Sequence, residues 1–231
     1  MTWLFDELEH AGVEHLDDAR VETYDAKAQV DASAELEMLR DLGLSASDTF
    51  IDLGAGTGEI ALAAASLCRH VVAVDVSGAM TGLMRRKALE RGVTNLEIVQ
   101  AGFLTYAHTG PPADVVYSRN ALHHLPDFWK GQALERIRHM LKPGGMFVLR
   151  DLVYSFDIQD SRSRLEAWFA YADASTLGGY PRHELETHVR EEHSTYSWVL
   201  EAMLGRTGFG IESVEYGAFG VFAKYVCRLE S

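Results

Sequence analysis

Apolar runs of five or six residues alternate along this chain with segments in which apolar positions recur at helical spacing. The runs fall at 49–53, 71–76, 96–100, 114–118 and 146–151. They are rich in Val, Ile and Leu and apolar on both faces, as strands of a parallel sheet covered on both sides should be. Between them, Met80, Leu83, Met84 and Ala88 share one helix face, and Gly92 is placed to end that helix with a left-handed cap. Leu134, Ile137 and Leu141 mark the next helix, with Asp127 as its expected N-cap and Lys142-Pro143-Gly144-Gly145 as its end. Alternation of this kind predicts right-handed βαβ units and an α/β, doubly wound sheet with helices on both faces.

The ends break the pattern. Residues 1–45 read as an N-terminal helical cap ahead of a core at 46–154. Residues 155–193 interrupt the alternation with a helical insert, expected to be a lid, whose stripe is Leu165, Trp168, Phe169 and Ala172. Residues 194–231 then supply a final helix (Tyr196, Val199, Leu200, Met203, Leu204), a stop at Gly208 and two strands at 211–216 and 221–229. A short Gly-containing connection joins those strands, so they should pair antiparallel. The whole, 1–231, is expected to be a single domain.

Composition narrows the partners. The 231 residues are 47% hydrophobic and 24% charged, with a formal net charge of −13. An acidic chain without a basic stripe is a poor ligand for phosphate backbones or anionic membranes, so neither nucleic acid nor membrane is expected. Arg85, Arg86, Lys87 and Arg91 cluster where one helix ends and suit its dipole. Cys68, expected in a helix, and Cys227, in the last strand, read as small buried apolar residues rather than a disulfide framework. The N-terminus lacks the apolar region of a signal peptide, which makes the cytoplasm the expected compartment.

The chemistry concentrates at Asp52-Leu53-Gly54-Ala55-Gly56-Thr57-Gly58-Glu59, where a strand meets a helix through a glycine-rich turn. Such a turn lets a ligand approach the main chain at the C-terminal edge of a sheet. A second strand ends in Asp75, about 20 residues on, where a carboxylate can accept from both hydroxyls of a ribose. Together these features predict an adenosine-containing cofactor. A dinucleotide fingerprint needs glycine where Glu59 stands, and Glu59 there would repel a pyrophosphate. This opposes a nicotinamide-dependent oxidoreductase and favours a cationic cofactor.

The turn 52–59 resembles motif I of class I S-adenosylmethionine-dependent methyltransferases. Val71-Val-Ala-Val-Asp75-Val-Ser-Gly-Ala-Met80 is similar to the family's second motif, and 114–127, with Leu122-His-His-Leu-Pro-Asp127, to its fourth-strand motif in small-molecule enzymes of the ubiquinone-biosynthesis type. Leu141-Lys-Pro-Gly-Gly145 matches the turn before the fifth strand. The resemblance is close over about 48–151. It implies a Rossmann-like, seven-stranded sheet with the last strand antiparallel, and S-adenosyl-L-methionine as cofactor. It further implies that Gly54, Ala55, Gly56 and Gly58 line the methionine part, with Asp52 near the amino group, Asn120 in backbone contact and Arg119 beside it. Asp75 would bind the ribose, while Val76 and Met80 pack on the adenine. The family usually carries an Asp after the third strand that accepts from the adenine amino group. Here Gly102 stands in its place, followed by Phe103, which can still cover the ring. Related enzymes often fold an N-terminal tyrosine over the cofactor, and Tyr24 is the candidate.

The acceptor side is less defined. His123, His124 and Asp151 are the candidate catalytic groups, needed only if the acceptor must lose a proton; a turn histidine and a capping Asp are the plainer alternatives. Trp168, Phe169, Tyr171 and Tyr180 of the insert would suit a planar acceptor or simply form core. His183, His188 and His193 do not share a helix face, which predicts a solvated surface and no metal site. The expected function is methyl transfer to a small-molecule acceptor, with a non-catalytic cofactor-binding regulator or scaffold as the alternative and a homodimer left open.

Overall fold

The computed structural model describes residues 3–11, 21, 24, 25, 28, 30–174 and 179–230. Parts of the expected N-terminal cap and of the insert, at 12–20 and 175–178, lie outside the described residues. Helix α1 (Ala32–Asp41) starts where the Asp31 side chain accepts from Ala34 N, an N-cap that satisfies one of the free amides of the first turn. Then follow β1 (Thr49–Leu53), α2 (Glu59–Ala64), β2 (His70–Asp75), α3 (Gly78–Glu90), β3 (Leu96–Gln100), β4 (Ala113–Arg119), α4 (Asp127–Met140) and β5 (Leu141–Tyr154). The insert supplies α5 (Ser161–Ala174) and α6 (Arg182–Glu191). The chain ends with β6 (Thr195–Tyr196), α7 (Ser197–Arg206), β7 (Phe209–Tyr216) and β8 (Phe222–Leu229).

The sheet runs β3-β2-β1-β4-β5-β8-β7, with short β6 beside β5. Pairings from β3 through β5 are parallel, and β8 is antiparallel to both β5 and β7. The chain winds outward from β1 to β3, then crosses to β4 on the other side, so the order reverses between β1 and β4. A crevice opens there at the C-terminal ends of the strands. The turns after β1, β2 and β4 all point into it.

Strand composition explains the layers. β1 is buried along its whole length. One face packs Leu134, Ile137, Leu200 and Leu204 of α4 and α7 against Phe147 and Tyr225. The other packs Leu39, Ile60 and Met84 of α1, α2 and α3 against Phe50, Val148 and Tyr117. Each fully buried side chain of this size contributes roughly 1.5–3 kcal/mol. The insert builds a separate cluster from Trp168, Phe169 and Leu185 with Leu152, Phe156 and Val221, so Trp168 and Phe169 are core while Tyr171 is exposed.

Four local expectations change. The cap of α4 is Pro126, with Asp127 already in the first turn; Asp127 instead holds Lys130 Nζ at 2.9 Å and Thr195 Oγ1 at 3.2 Å. β5 takes in Lys142–Gly145, expected as a turn, with Lys142, Pro143 and Gly144 exposed and Gly145 buried. Cys68 lies in the bend after α2, buried and unbonded like Cys227. The cation cluster does more than end α3: Lys87 pairs with Asp25 at 2.5 Å and Glu59 at 2.8 Å, and Arg91 with Glu59 at 3.2 Å. No helix among the described residues is long and apolar enough to cross a membrane.

Candidate active site

The turn after β1 is held in the left-handed region, with φ of 72°, 55° and 83° at Gly54, Gly56 and Gly58. At Gly54 an added Cβ would overlap the Ala121 side chain, so the turns after β1 and β4 touch where only glycine fits. The Gly54 and Ala55 amides donate to Val74 O at 2.8 and 3.0 Å. Gly56 N donates to Asp75 Oδ2 and Ser77 N to Asp75 Oδ1, both at 2.8 Å. Two amides thus fix the Asp75 carboxylate at its strand tip.

These turns line a cleft of about 670 Å³, open mouth included. Of the residues singled out from sequence, Tyr24, Gly54, Gly56, Asp75 and Val76 line it, as do Gly102, Phe103, Arg119, Asn120 and His124. The others are set back. Met80 packs with Val21 and Leu83, Gly58 faces Met84, and Ala55 packs against the core between the sheet and α2. Asp52 is buried in β1, where burial and then the Asp75 charge raise its carboxyl to about 7, opposed by Arg119. Glu59 turns to Lys87 and Arg91, away from the cleft.

Asn120 marks the polar end. It is a non-glycine residue at φ 51°, and its Oδ1 is buried without a hydrogen-bond partner, as is Arg119 Nε. Glu35 Oε1 lies 4.0 Å from Arg119 Nε. Backbone strain and an unsatisfied acceptor at one cleft residue cost free energy, and such features gather where a ligand satisfies them. A buried acceptor and a guanidinium suit the ammonium and carboxylate of an amino-acid group. Asp75 suits a diol, and Phe103 and Val76 suit a flat base. The donor set therefore fits S-adenosylmethionine.

His123 and His124 part company. His124 lines the cleft. His123 is fully enclosed: Nδ1 meets Asp151 Oδ1 at 2.5 Å and Nε2 meets Glu192 Oε2 at 3.0 Å. Burial alone would lower its pKa, but the two carboxylates outweigh it and hold the imidazole up at about 9. Both ring nitrogens are engaged, so His123 does not offer a base to the cleft. Asp151, besides holding His123, accepts from the amides of His123 and Leu152 at 2.9 Å each. His188 is buried too, contrary to the solvated surface expected of it. Its Nδ1 meets Glu192 Oε2 at 2.6 Å and its Nε2 meets Ser194 Oγ at 2.8 Å. Burial opposes ionisation of Glu192, yet its bonds to His123 and His188 hold its pKa far below the usual range. His183 is exposed and His193 half-buried; the His193 amide donates to His123 O, and its carbonyl accepts from Lys130.

His123, His188 and Glu192 bring three metal-capable atoms together. Their separations of 2.6 and 3.0 Å are hydrogen-bond lengths, shorter than the roughly 3.3 Å between tetrahedral zinc ligands. The cluster acts as an ionic latch that ties α6 to the turn after β4.

Sequence reasoning missed Phe5, Glu7 and Ala11, which roof the cleft with Tyr24. No local motif announces them, because a long stretch of chain separates them from the glycine turn. Among the described residues the insert, expected to be the lid, adds nothing to this cleft; the N-terminal segment covers it instead.

Residues 50–145 match the methyltransferase domain family. The chain is 26% identical over 202 residues to an uncharacterized methyltransferase of Geobacillus kaustophilus, covering 87% of both chains. Its fold is similar to that of a SAM-dependent methyltransferase from Aquifex aeolicus, with a TM-score of 0.65, 16% identity and coverage of 93% and 99%. The CcbJ methyltransferase from Streptomyces caelestis gives a TM-score of 0.69 at 18% identity, over 98% and 100%.

Proposed function

Because this chain is a class I S-adenosylmethionine-dependent methyltransferase, we propose that it methylates a small organic acceptor by in-line displacement at the mouth of the cleft beside His124. The single observation carrying the placement is Asn120, strained and with a buried, unsatisfied acceptor, facing the amide-fixed Asp75 across one cleft. The cofactor supplies an electrophilic methyl on a sulfonium. Asn120, Arg119 and the Gly54–Gly56 turn would hold its amino-acid end, Asp75 the ribose, and Phe103 with Val76 the base. Such contacts would position the methyl and exclude water, which supplies much of the acceleration of a displacement with a good leaving group. The net charge of −13 favours a neutral or cationic acceptor over a polyanion.

The test is release of S-adenosylhomocysteine across a panel of phenols, enols, amines and thiols, with protein and RNA controls. Turnover with one small-molecule class and none with the polymers is expected. Turnover confined to a protein or RNA acceptor would overturn the proposal.

A further inference from the structure

The base end of the cleft carries a feature that neither the glycine turn nor Asp75 accounts for. Among the described residues two carboxylates line the cleft, Asp75 and Glu7. Asp75 stands at the tip of β2, where a ribose would be held. A base attached to that ribose would meet the end of β3, the neighbouring strand, where Gly102 and Phe103 line the cleft. Glu7 reaches this wall from the N-terminal segment. Its Oε2 accepts from Leu104 N at 2.9 Å, and the amides of Phe103 and Thr105 also face the carboxylate. The side chain is nine-tenths hidden, and burial raises its pKa despite those amides. Burying a carboxylate beside a ligand cleft is costly unless it meets donors there.

Gly102 gives the second observation. A Cβ on Gly102 would run into the Glu7 carboxyl group, whose carbon and both oxygens are its nearest neighbours. The backbone at Gly102 is not in the left-handed region that only glycine tolerates. What keeps a side chain out is therefore Glu7 itself. The Glu7 carboxyl lies where a side chain on residue 102 would begin, and so brings a carboxylate to the end of β3 where residue 102 has none.

We propose that Glu7 is the acceptor that reads the amino group at position six of the adenine, supplied from the N-terminal segment in place of a side chain at Gly102. This rests on the cofactor placement proposed above. Adenine offers that amino group as the one exocyclic donor on its edge, and a carboxylate capped by amides still has lone pairs to receive it. Cofactor recognition thereby requires that the N-terminal segment be docked: the segment that roofs the cleft also carries the group that recognises the base.

The test is calorimetric binding of S-adenosylhomocysteine and of its analogue with the six-amino group replaced by hydrogen. It is run on wild type, Glu7→Ala, and the double variant Glu7→Ala with Gly102→Asp. Wild type should prefer the amino compound by about 10- to 100-fold, the value of a hydrogen bond to a carboxylate. Glu7→Ala should bind both compounds within about threefold of each other, and the double variant should recover much of the preference. A merely structural Glu7 would weaken both ligands equally in Glu7→Ala and leave the preference intact, which overturns the proposal. So would a wild type that binds both compounds equally. A wild type that binds neither compound rejects the cofactor placement itself, a separate and visible failure.

Discussion

The floor and the roof of the cleft are built in different ways. The floor is contiguous in sequence: β1, the turn Gly54–Gly58 and the start of α2, with Asp75 one strand away. Its hydrogen bonds run between backbone groups and one carboxylate. The roof is Phe5, Glu7, Ala11 and Tyr24, held by side chains that meet partners far along the chain, such as Glu7 on Leu104 N and Asp25 on Lys87 and Thr57. The floor is fixed by backbone geometry and the roof by long-range polar contacts. One should therefore break abruptly and the other by degrees.

The largest effect belongs to the floor. Gly54→Ala forces a Cβ onto Ala121 at a positive φ. Strain and overpacking each cost roughly 1–3 kcal/mol, so Tm should fall by on the order of 10 °C and S-adenosylhomocysteine binding should be lost. A variant that keeps wild-type Tm and binding would show that the two turns do not touch as described.

Next comes the latch between the insert and the core. Removing one partner of a fully buried ion pair costs roughly 3–5 kcal/mol; Glu192 is half-buried, so Glu192→Gln should destabilise by less, about 1–3 kcal/mol in urea unfolding. The pH dependence is specific. Charged His123 contributes fully below its ordinary value of 6.5, and that contribution is lost as pH rises through about 9. The Glu192 contribution is present above its ordinary 4.5 and is lost as pH falls below it. Stability from the latch is thus greatest between these ordinary values and declines toward pH 9. His123→Asn should flatten that decline; an unchanged slope would mean His123 is not held charged.

The sequence exposed the floor and hid the roof for one physical reason. Strand periodicity, left-handed glycines and a strand-tip Asp are local properties, so β1 and β3 fall at their expected bounds and the site residues around Gly54 and Asp75 share the cleft. Glu7 and Glu192 look like any surface glutamate until tertiary contacts bury the first and half-bury the second. His188 likewise read as solvated because its partners, Glu192 and Ser194, lie around the end of α6. The failure of Asp127 as a cap has a similar origin: Lys130 and Thr195 claim its carboxylate.

A smaller effect sharpens the contrast. Lys87→Met removes the cation shared by Asp25 and Glu59. Those carboxylates are partly solvated, so the cost should be about 1 kcal/mol or less. It should appear as faster proteolysis within the N-terminal segment at nearly unchanged Tm. A Tm loss as large as that of Gly54→Ala would mean that roof and floor form one cooperative unit.

The most direct test of the central claim is calorimetric titration of S-adenosylhomocysteine into wild type and Asp75→Ala. The account predicts binding to wild type and a loss of roughly 10- to 100-fold in the variant, the worth of hydrogen bonds to a buried carboxylate. Equal affinities for the two proteins, or no binding to wild type, would contradict it.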